Sequence, residues 1–183
     1  MTLIEYDESL TYDGKLVGVD EAGRGPLAGP VTASACYIPN SLYTHPIMKK
    51  INDSKKLSPK QREEIFEELT KLPIIYATGY ASAKEIDNIN ILQATFLAMR
   101  RALQKFNNQK IFVLVDGNKT IPNLQHKQQY LIKGDATSLS VASASIIAKV
   151  SRDRFMTICS KLYPNYLFEG HKGYGTAEHI ALI

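Results

Sequence analysis

Apolar positions along this chain follow two rhythms. Short runs rich in Val, Ile and Ala at 16–20, 31–38 and 74–80 predict strands. Residues 111–115 are almost wholly apolar, the pattern of a strand covered on both faces, and 130–133 is a weaker strand candidate. Elsewhere the spacing is helical. Ser58, Pro59 and Gln61 compose a capped helix start, which Ile65, Phe66, Leu69 and Leu72 continue. Ser82 with Glu85 is a second capping pair and opens a short turn of helix. Leu92, Phe96, Met99, Leu103 and Phe106 recur at steps of four and three, so 90–106 is predicted as an amphipathic helix. A long helix is expected over 142–162, with Ile147, Val150, Phe155, Ile158 and Leu162 turned to the core. Its small residues Ala142, Ser143, Ala144, Ser145 and Ala148 permit close packing on a sheet.

This order of elements predicts an α/β domain, a mixed sheet flanked by helices. A length of 183 residues suits one domain spanning 1–183 with a full core. The net charge of +4 is compatible with an acidic polymer as partner without requiring one. No apolar run approaches the roughly 18 residues of a membrane span, so no membrane partner is expected. Residues 1–13 are polar and acidic, unlike a secretory leader. Cys36 and Cys159 lie in apolar surroundings and read as buried small hydrophobes, which fits a cytoplasmic protein.

Candidate chemistry sits where the strands end. The first apolar run closes on Asp20-Glu21 and continues at once into Ala22-Gly23-Arg24-Gly25-Pro26. Two carboxylates held close in a partly buried place repel by roughly 4 kcal/mol at an effective dielectric near 20. A divalent cation is the usual remedy. An arginine between glycines can approach a phosphate closely. Asp116 and Asp135 are the other acidic candidates. Asp116 ends the run 111–115, and its carboxylate meets that of Asp20 if the two strands are parallel neighbours. Asp20, Glu21, Asp116 and Asp135 offer only oxygen, which selects Mg²⁺ or Mn²⁺ over Zn²⁺. Taken singly, Asp116-Gly117 and Gly134-Asp135 also fit ordinary turns. Metal with phosphate points to phosphodiester chemistry.

Three further groups are candidate substrate contacts. Ser54 and Lys55, with Lys56, precede the first capped helix and read either as a phosphate site or as a solvated loop; Asp53 beside them is a fifth acidic candidate. Ser145, Lys149 and Arg152 share one helix face, which reads equally as a solvated face; Asp153 stands ready to order Arg152 or approach the metal. Tyr174, between Gly173 and Gly175, is presented by a flexible backbone and suits stacking on a sugar or base.

Taken in order, the segments 19–31, 53–57, 115–117, 133–135, 142–150 with Arg152 and Asp153, and 171–176 resemble bacterial ribonuclease HII, the type 2 ribonuclease H. The resemblance implies a ribonuclease H-like fold with a C-terminal helical segment. It implies hydrolysis of RNA in RNA–DNA hybrids and cleavage 5′ to single ribonucleotides embedded in duplex DNA, as in ribonucleotide excision repair. By motif position, Asp20, Glu21, Asp116 and Asp135 resemble the catalytic, metal-binding acids. Gly23, Arg24 and Gly25 resemble the ribonucleotide-sensing loop, and Tyr174 the junction-reading tyrosine. Arg24 and the short N-terminal segment favour ribonuclease HII over HIII. A monomer is expected. Members of the family continue past the Tyr174 loop into a longer helix and a basic tail. An end at Ile183 therefore implies a short C-terminus, with weaker substrate and clamp binding. A DNA resolvase or strand-transfer nuclease on the same fold, and a hybrid-binding module without catalysis, are the rival readings.

Overall fold

The computed structural model describes residues 1–183. Helix α1 (Leu3–Ser9) leads into β1 (Lys15–Ala22) and β2 (Val31–Tyr37). There follow α2 (Pro59–Leu69), β3 (Ile75–Ala81), α3 (Ala83–Leu103), β4 (Ile111–Asp116) and β5 (Lys127–Leu131). The long α4 (Leu139–Leu162) and two short helices, α5 (Phe168–His171) and α6 (Ala177–Ile180), complete the chain. The strands form one five-stranded sheet in the order β3-β2-β1-β4-β5. β1 pairs antiparallel with β2 and parallel with β4; β4 pairs parallel with β5. The predicted mixed sheet with flanking helices is the architecture observed.

Alternation along β1 and β4 divides the core. Val17, Val19, Val113 and Val115 join Phe96 and Met99 of α3 on one face. On the other, Cys36 of β2 packs with Leu139, Ala142, Ile146 and Ile147 of α4 and with Ile65 and Leu69 of α2. Gly18 lies under α4 so closely that a Cβ would overlap the Ser140 backbone. That close approach is what the small residues at the start of α4 permit.

Ser58 and Ser82 both make capping boxes, with Gln61 and Glu85. The short helical turn after Ser82 and the helix from Asn90 form the single element α3, broken at Asn90 with φ +66° and ψ 163°. Asn90 Oδ1 accepts from the N–H groups of Leu92 and Gln93 at 3.1 Å, so it caps the second segment.

Some expectations need correction. β5 occupies Lys127–Leu131 rather than 130–133, because Lys133 turns left-handed at φ +57° and ends it. This edge strand hides in sequence because it is polar; Gln128 spends its amide on both backbone groups of Ile121. Ile147 and Val150 are core, but Phe155, Ile158 and Leu162 are 39%, 57% and 69% exposed. α4 has 24 residues, or about 36 Å at the usual rise, and outruns the sheet. Its buried positions stop at Met156. Cys36 is buried as expected, whereas Cys159 is only partly so. Helix α1 was not expected, although its Thr2–Glu5 capping box is visible in sequence. It carries the buried Asp7, whose Oδ2 accepts from the Ser140 N–H and hydroxyl at 2.9 and 2.7 Å at the start of α4. No helix is long and apolar enough to cross a membrane.

Candidate active site

The parallel register pairs Val19 with Val115, so Asp20 and Asp116 follow side by side. Both strands end at the same edge, and a cleft of about 230 Å³ opens there. Asp20, Glu21 and Asp116 line it together with Gly23, Arg24, Gly25, Ser54, Lys55, Ser145, Lys149 and Tyr174. Asp135 lies outside the cleft lining, in a turn of 3₁₀ helix at Gly134–Ala136. The preceding Gly134 N–H donates to Asp116 Oδ1 at 2.6 Å.

Charge is unevenly balanced. Glu21 pairs with Arg24 at 3.2 Å and Asp135 with Lys55 at 3.3 Å. Asp20 and Asp116 have no ion pair. Burial, then the charges of Glu21 and Asp116, push the Asp20 carboxyl well above the usual range, while Ser145 and the Glu21 N–H partly offset this. Burial also raises Glu21 against the pull of Arg24. Asp116 rises through burial and the charge of Asp135. No three acidic, histidine or cysteine side chains are gathered tightly enough to cage an ion as they stand. Their outer oxygens turn instead to Arg24, Gly134 N–H and Lys55. The donor set nevertheless fits a hard divalent cation: every donor is oxygen, and Asp20, 5% exposed, lacks a cationic partner.

The supporting groups occupy several elements. Ser54 Oγ and Ser145 Oγ are 2.9 Å apart. Lys149 pairs with Asp153 at 2.9 Å and stands 5.1 Å from the Tyr174 ring centroid. Asp153 thus orders Lys149, not Arg152. Asp53 Oδ1 accepts from the Lys55 N–H at 2.9 Å, shaping the loop rather than lining the cleft. Arg62 was missed. It lines the cleft from α2 and donates to the carbonyls of Ser54 and Leu57 at 2.7 and 2.5 Å, which fixes the Lys55 loop. Only tertiary structure reveals that role.

Arg152 departs from expectation. It shares a helix face with Ser145 and Lys149, but that face turns inward and Arg152 is 0% exposed. Its guanidinium donates to the carbonyls of Pro30, Lys172 and Ala28 at 3.0, 2.9 and 2.9 Å. All three nitrogens are committed to backbone, so Arg152 is not free to bind substrate. It ties the loop after β1 to the loop that carries Tyr174. Gly23, at φ +103°, admits it, since a Cβ there would overlap the Arg152 side chain.

The sequence model of ribonuclease HII matches residues 17–183. The ribonuclease HII of Caldicellulosiruptor saccharolyticus is 53% identical, across 98% of this chain and 86% of that protein. This chain belongs to the ribonuclease HII family. The Fusobacterium nucleatum ribonuclease HII is 52% identical over 92% of this chain and 78% of its own length. Among solved structures, Pyrococcus horikoshii ribonuclease H2 has a TM-score of 0.70 at 28% identity, covering 91% of this chain and 83% of that one. A ribonuclease HIII called Bst, solved with Mn²⁺, has a TM-score of 0.71 at 15% identity over 97% and 67% of the two chains. The fold is therefore the ribonuclease H-like fold, as the resemblance implied, and the chain is a ribonuclease H, a hydrolase of the endonuclease type. Ribonuclease HII enzymes act on RNA–DNA hybrids and use divalent metal ions.

Two outcomes follow from this geometry. Arg152→Lys places one point donor where a planar fork serves three carbonyls, so buried acceptors lose their partners. A loss of about 3 kcal/mol is expected in denaturant titration; a change below about 0.5 kcal/mol contradicts the tie. For Asp20, the folded pKa is raised above the unfolded value. Stability from that retained proton is full below the unfolded carboxyl range, near pH 4, and is lost as pH rises through the folded value. Asp20→Asn removes this loss. In chelator, its melting temperature should exceed the parent's at about pH 7.5 by more than at about pH 4. A parent that melts higher at neutral pH contradicts it.

Proposed function

We propose that this chain hydrolyses the RNA strand of RNA–DNA hybrids and cuts 5′ to single ribonucleotides embedded in duplex DNA. The observation that carries this reading is one cleft joining Asp20, Glu21 and Asp116 to the Gly23-Arg24-Gly25 turn and to Tyr174. Asp20, Glu21, Asp116 and Asp135 are the residues that would hold Mg²⁺ or Mn²⁺; the Bst ribonuclease HIII structure contains Mn²⁺. When bound, two such ions supply Lewis acidity and a template for in-line displacement at phosphorus, leaving 3′-hydroxyl and 5′-phosphate ends.

The protein's own groups bind and orient. RNA differs from DNA by its 2′-hydroxyl, which a backbone turn can read through amides. Gly23, Arg24 and Gly25 are suited to that task, with the Arg24 side chain, 49% exposed, meeting phosphate. Lys55, 81% exposed, and Lys149 add positive charge at the cleft. Ser145 supports the Asp20 carboxylate, and the Ser54 hydroxyl bonds to that of Ser145. The Tyr174 ring is 39% exposed, which leaves a surface for stacking on a sugar. A Cβ on residue 25 would stand 4.0 Å from its Cε1, in ordinary contact, so the Gly23-Arg24-Gly25 turn lies directly beside the ring. The same reading takes 1–183 as one catalytic domain, working as a cytoplasmic monomer in ribonucleotide excision repair.

The test is a DNA duplex with one ribonucleotide, compared with an RNA–DNA hybrid and an all-DNA control. Cleavage 5′ to the ribonucleotide is expected with Mg²⁺ or Mn²⁺, and none on all-DNA or in chelator. Cleavage of all-DNA junctions regardless of a 2′-hydroxyl overturns the reading. Asp20→Asn and Asp116→Asn should each lower turnover by about a hundredfold or more with the fold intact. Parental turnover in either removes that residue from the machinery.

A further inference from the structure

Two histidines that no step above uses hold the loop carrying Tyr174. His171 ends α5 and His179 lies within α6; they are 7% and 0% exposed. Their rings stack with centroids 4.3 Å apart and 15° between planes. Phe168 meets both edge-on, at 5.9 and 5.7 Å. Each ring also bonds to backbone. The Gly173 N–H donates to His171 Nδ1 at 3.1 Å, which assigns that ring's proton to Nε2, 2.8 Å from the Tyr166 carbonyl. His179 Nδ1 lies 3.0 Å from the Tyr174 carbonyl, so there the proton sits on Nδ1. The Tyr174 N–H donates to the His171 carbonyl at 2.9 Å. Tyr174 is thus gripped on both sides of its backbone. One residue earlier, the Gly173 carbonyl accepts from Leu27 N–H at 2.8 Å and Ala28 N–H at 3.3 Å, which docks the loop against the turn after β1.

Packing alone does not account for His179. Its Nε2 is buried without a hydrogen-bond partner, an expense that a phenylalanine of similar shape avoids. What histidine adds is the Nδ1–H aimed at the Tyr174 carbonyl. We infer that His171 and His179 are positioning residues that fix the Tyr174 ring at the cleft and thereby set the preference for an isolated ribonucleotide over a continuous hybrid. This rests on the substrate role proposed for Tyr174. At a ribo-to-deoxyribo junction the ring presses on a sugar lacking a 2′-hydroxyl; a continuous RNA strand presents a different sugar, and the placement of the ring matters less.

Two substitutions separate the bond from the packing. His179→Phe keeps the ring and loses the donor. His179→Asn loses the ring and keeps an N–H donor near the Nδ1 place. The chain has no tryptophan, so Tyr174→Trp puts a single fluorophore on the loop, and acrylamide quenching then reports loop order without any cleavage. In that background His179→Phe should raise quenching, and His179→Asn should not. With Tyr174 in place, His179→Phe should lower the ratio of kcat/KM on the single-ribonucleotide duplex to that on the hybrid by about three- to tenfold, the range of one lost neutral hydrogen bond. Tyr174→Ala should lower the same ratio, and adding His179→Phe should lower it no further. His171→Phe, which removes the acceptor of the Gly173 N–H, is a second probe with the same expected signs if His179→Phe does not fold. A parental ratio and quenching in the phenylalanine variants, with impairment only in His179→Asn, overturns the inference in favour of packing. If quenching moves as expected while Tyr174→Ala leaves the ratio unchanged, the grip on the loop stands and the substrate role of Tyr174 falls.

Discussion

The site depends on the parallel pairing of β1 with β4. That register sets Asp20 beside Asp116 at one sheet edge, on the face covered by α4. As a general scale, two unit charges at about 4 Å repel by roughly 4 kcal/mol at an effective dielectric near 20, and the charge of Asp116 helps raise the Asp20 carboxyl. Of the cations lining the cleft, Arg24, Lys55 and Lys149 are paired with Glu21, Asp135 and Asp153, and Arg62 donates to the carbonyls of Ser54 and Leu57. The sheet core therefore holds two neighbouring carboxylates, Asp20 and Asp116, without a cation of their own. Divalent cations are the simplest relief, and this is the physical link between fold and chemistry.

A second constraint acts from beneath. The loop after β1 and the Tyr174 loop come from opposite ends of the chain, and both must reach the same cleft. Arg152 joins them through the carbonyls of Ala28, Pro30 and Lys172. Its positive charge is buried without a carboxylate partner, and burial pulls its pKa down. A buried cation satisfied only by carbonyls is costly to the fold, and the return is a fixed distance between the residues meant to read substrate. Arg62 does the same for the Lys55 loop through Ser54 and Leu57.

What the sequence discloses is local. The run closing on Asp116 and the capping boxes at Ser58 and Ser82 are set by neighbouring residues, so they can be read directly. The sheet edge is also legible, because apolar strands that stop at acids leave little choice of end. Periodicity names a helix face but not what covers it, so Phe155, Ile158 and Leu162 read as core although α4 has outrun the sheet. A charge on a helix face reads as solvated, which hides the burial of Arg152. β5 escapes because an edge strand needs few apolar residues. The pairing of His171 with His179 spans α5 and α6 and has no periodic signal at all.

The central claim is that the β1 and β4 strand ends form a divalent-cation site. Calorimetric titration with Mn²⁺ tests it most directly, on the parent chain and on Asp116→Asn, each with its melting temperature measured with and without the ion. A ligand that binds only the folded state raises its stability. The account predicts heat of binding and a higher melting temperature for the parent, with both effects greatly weakened in Asp116→Asn. Equal binding and equal stabilisation in the two proteins would contradict it.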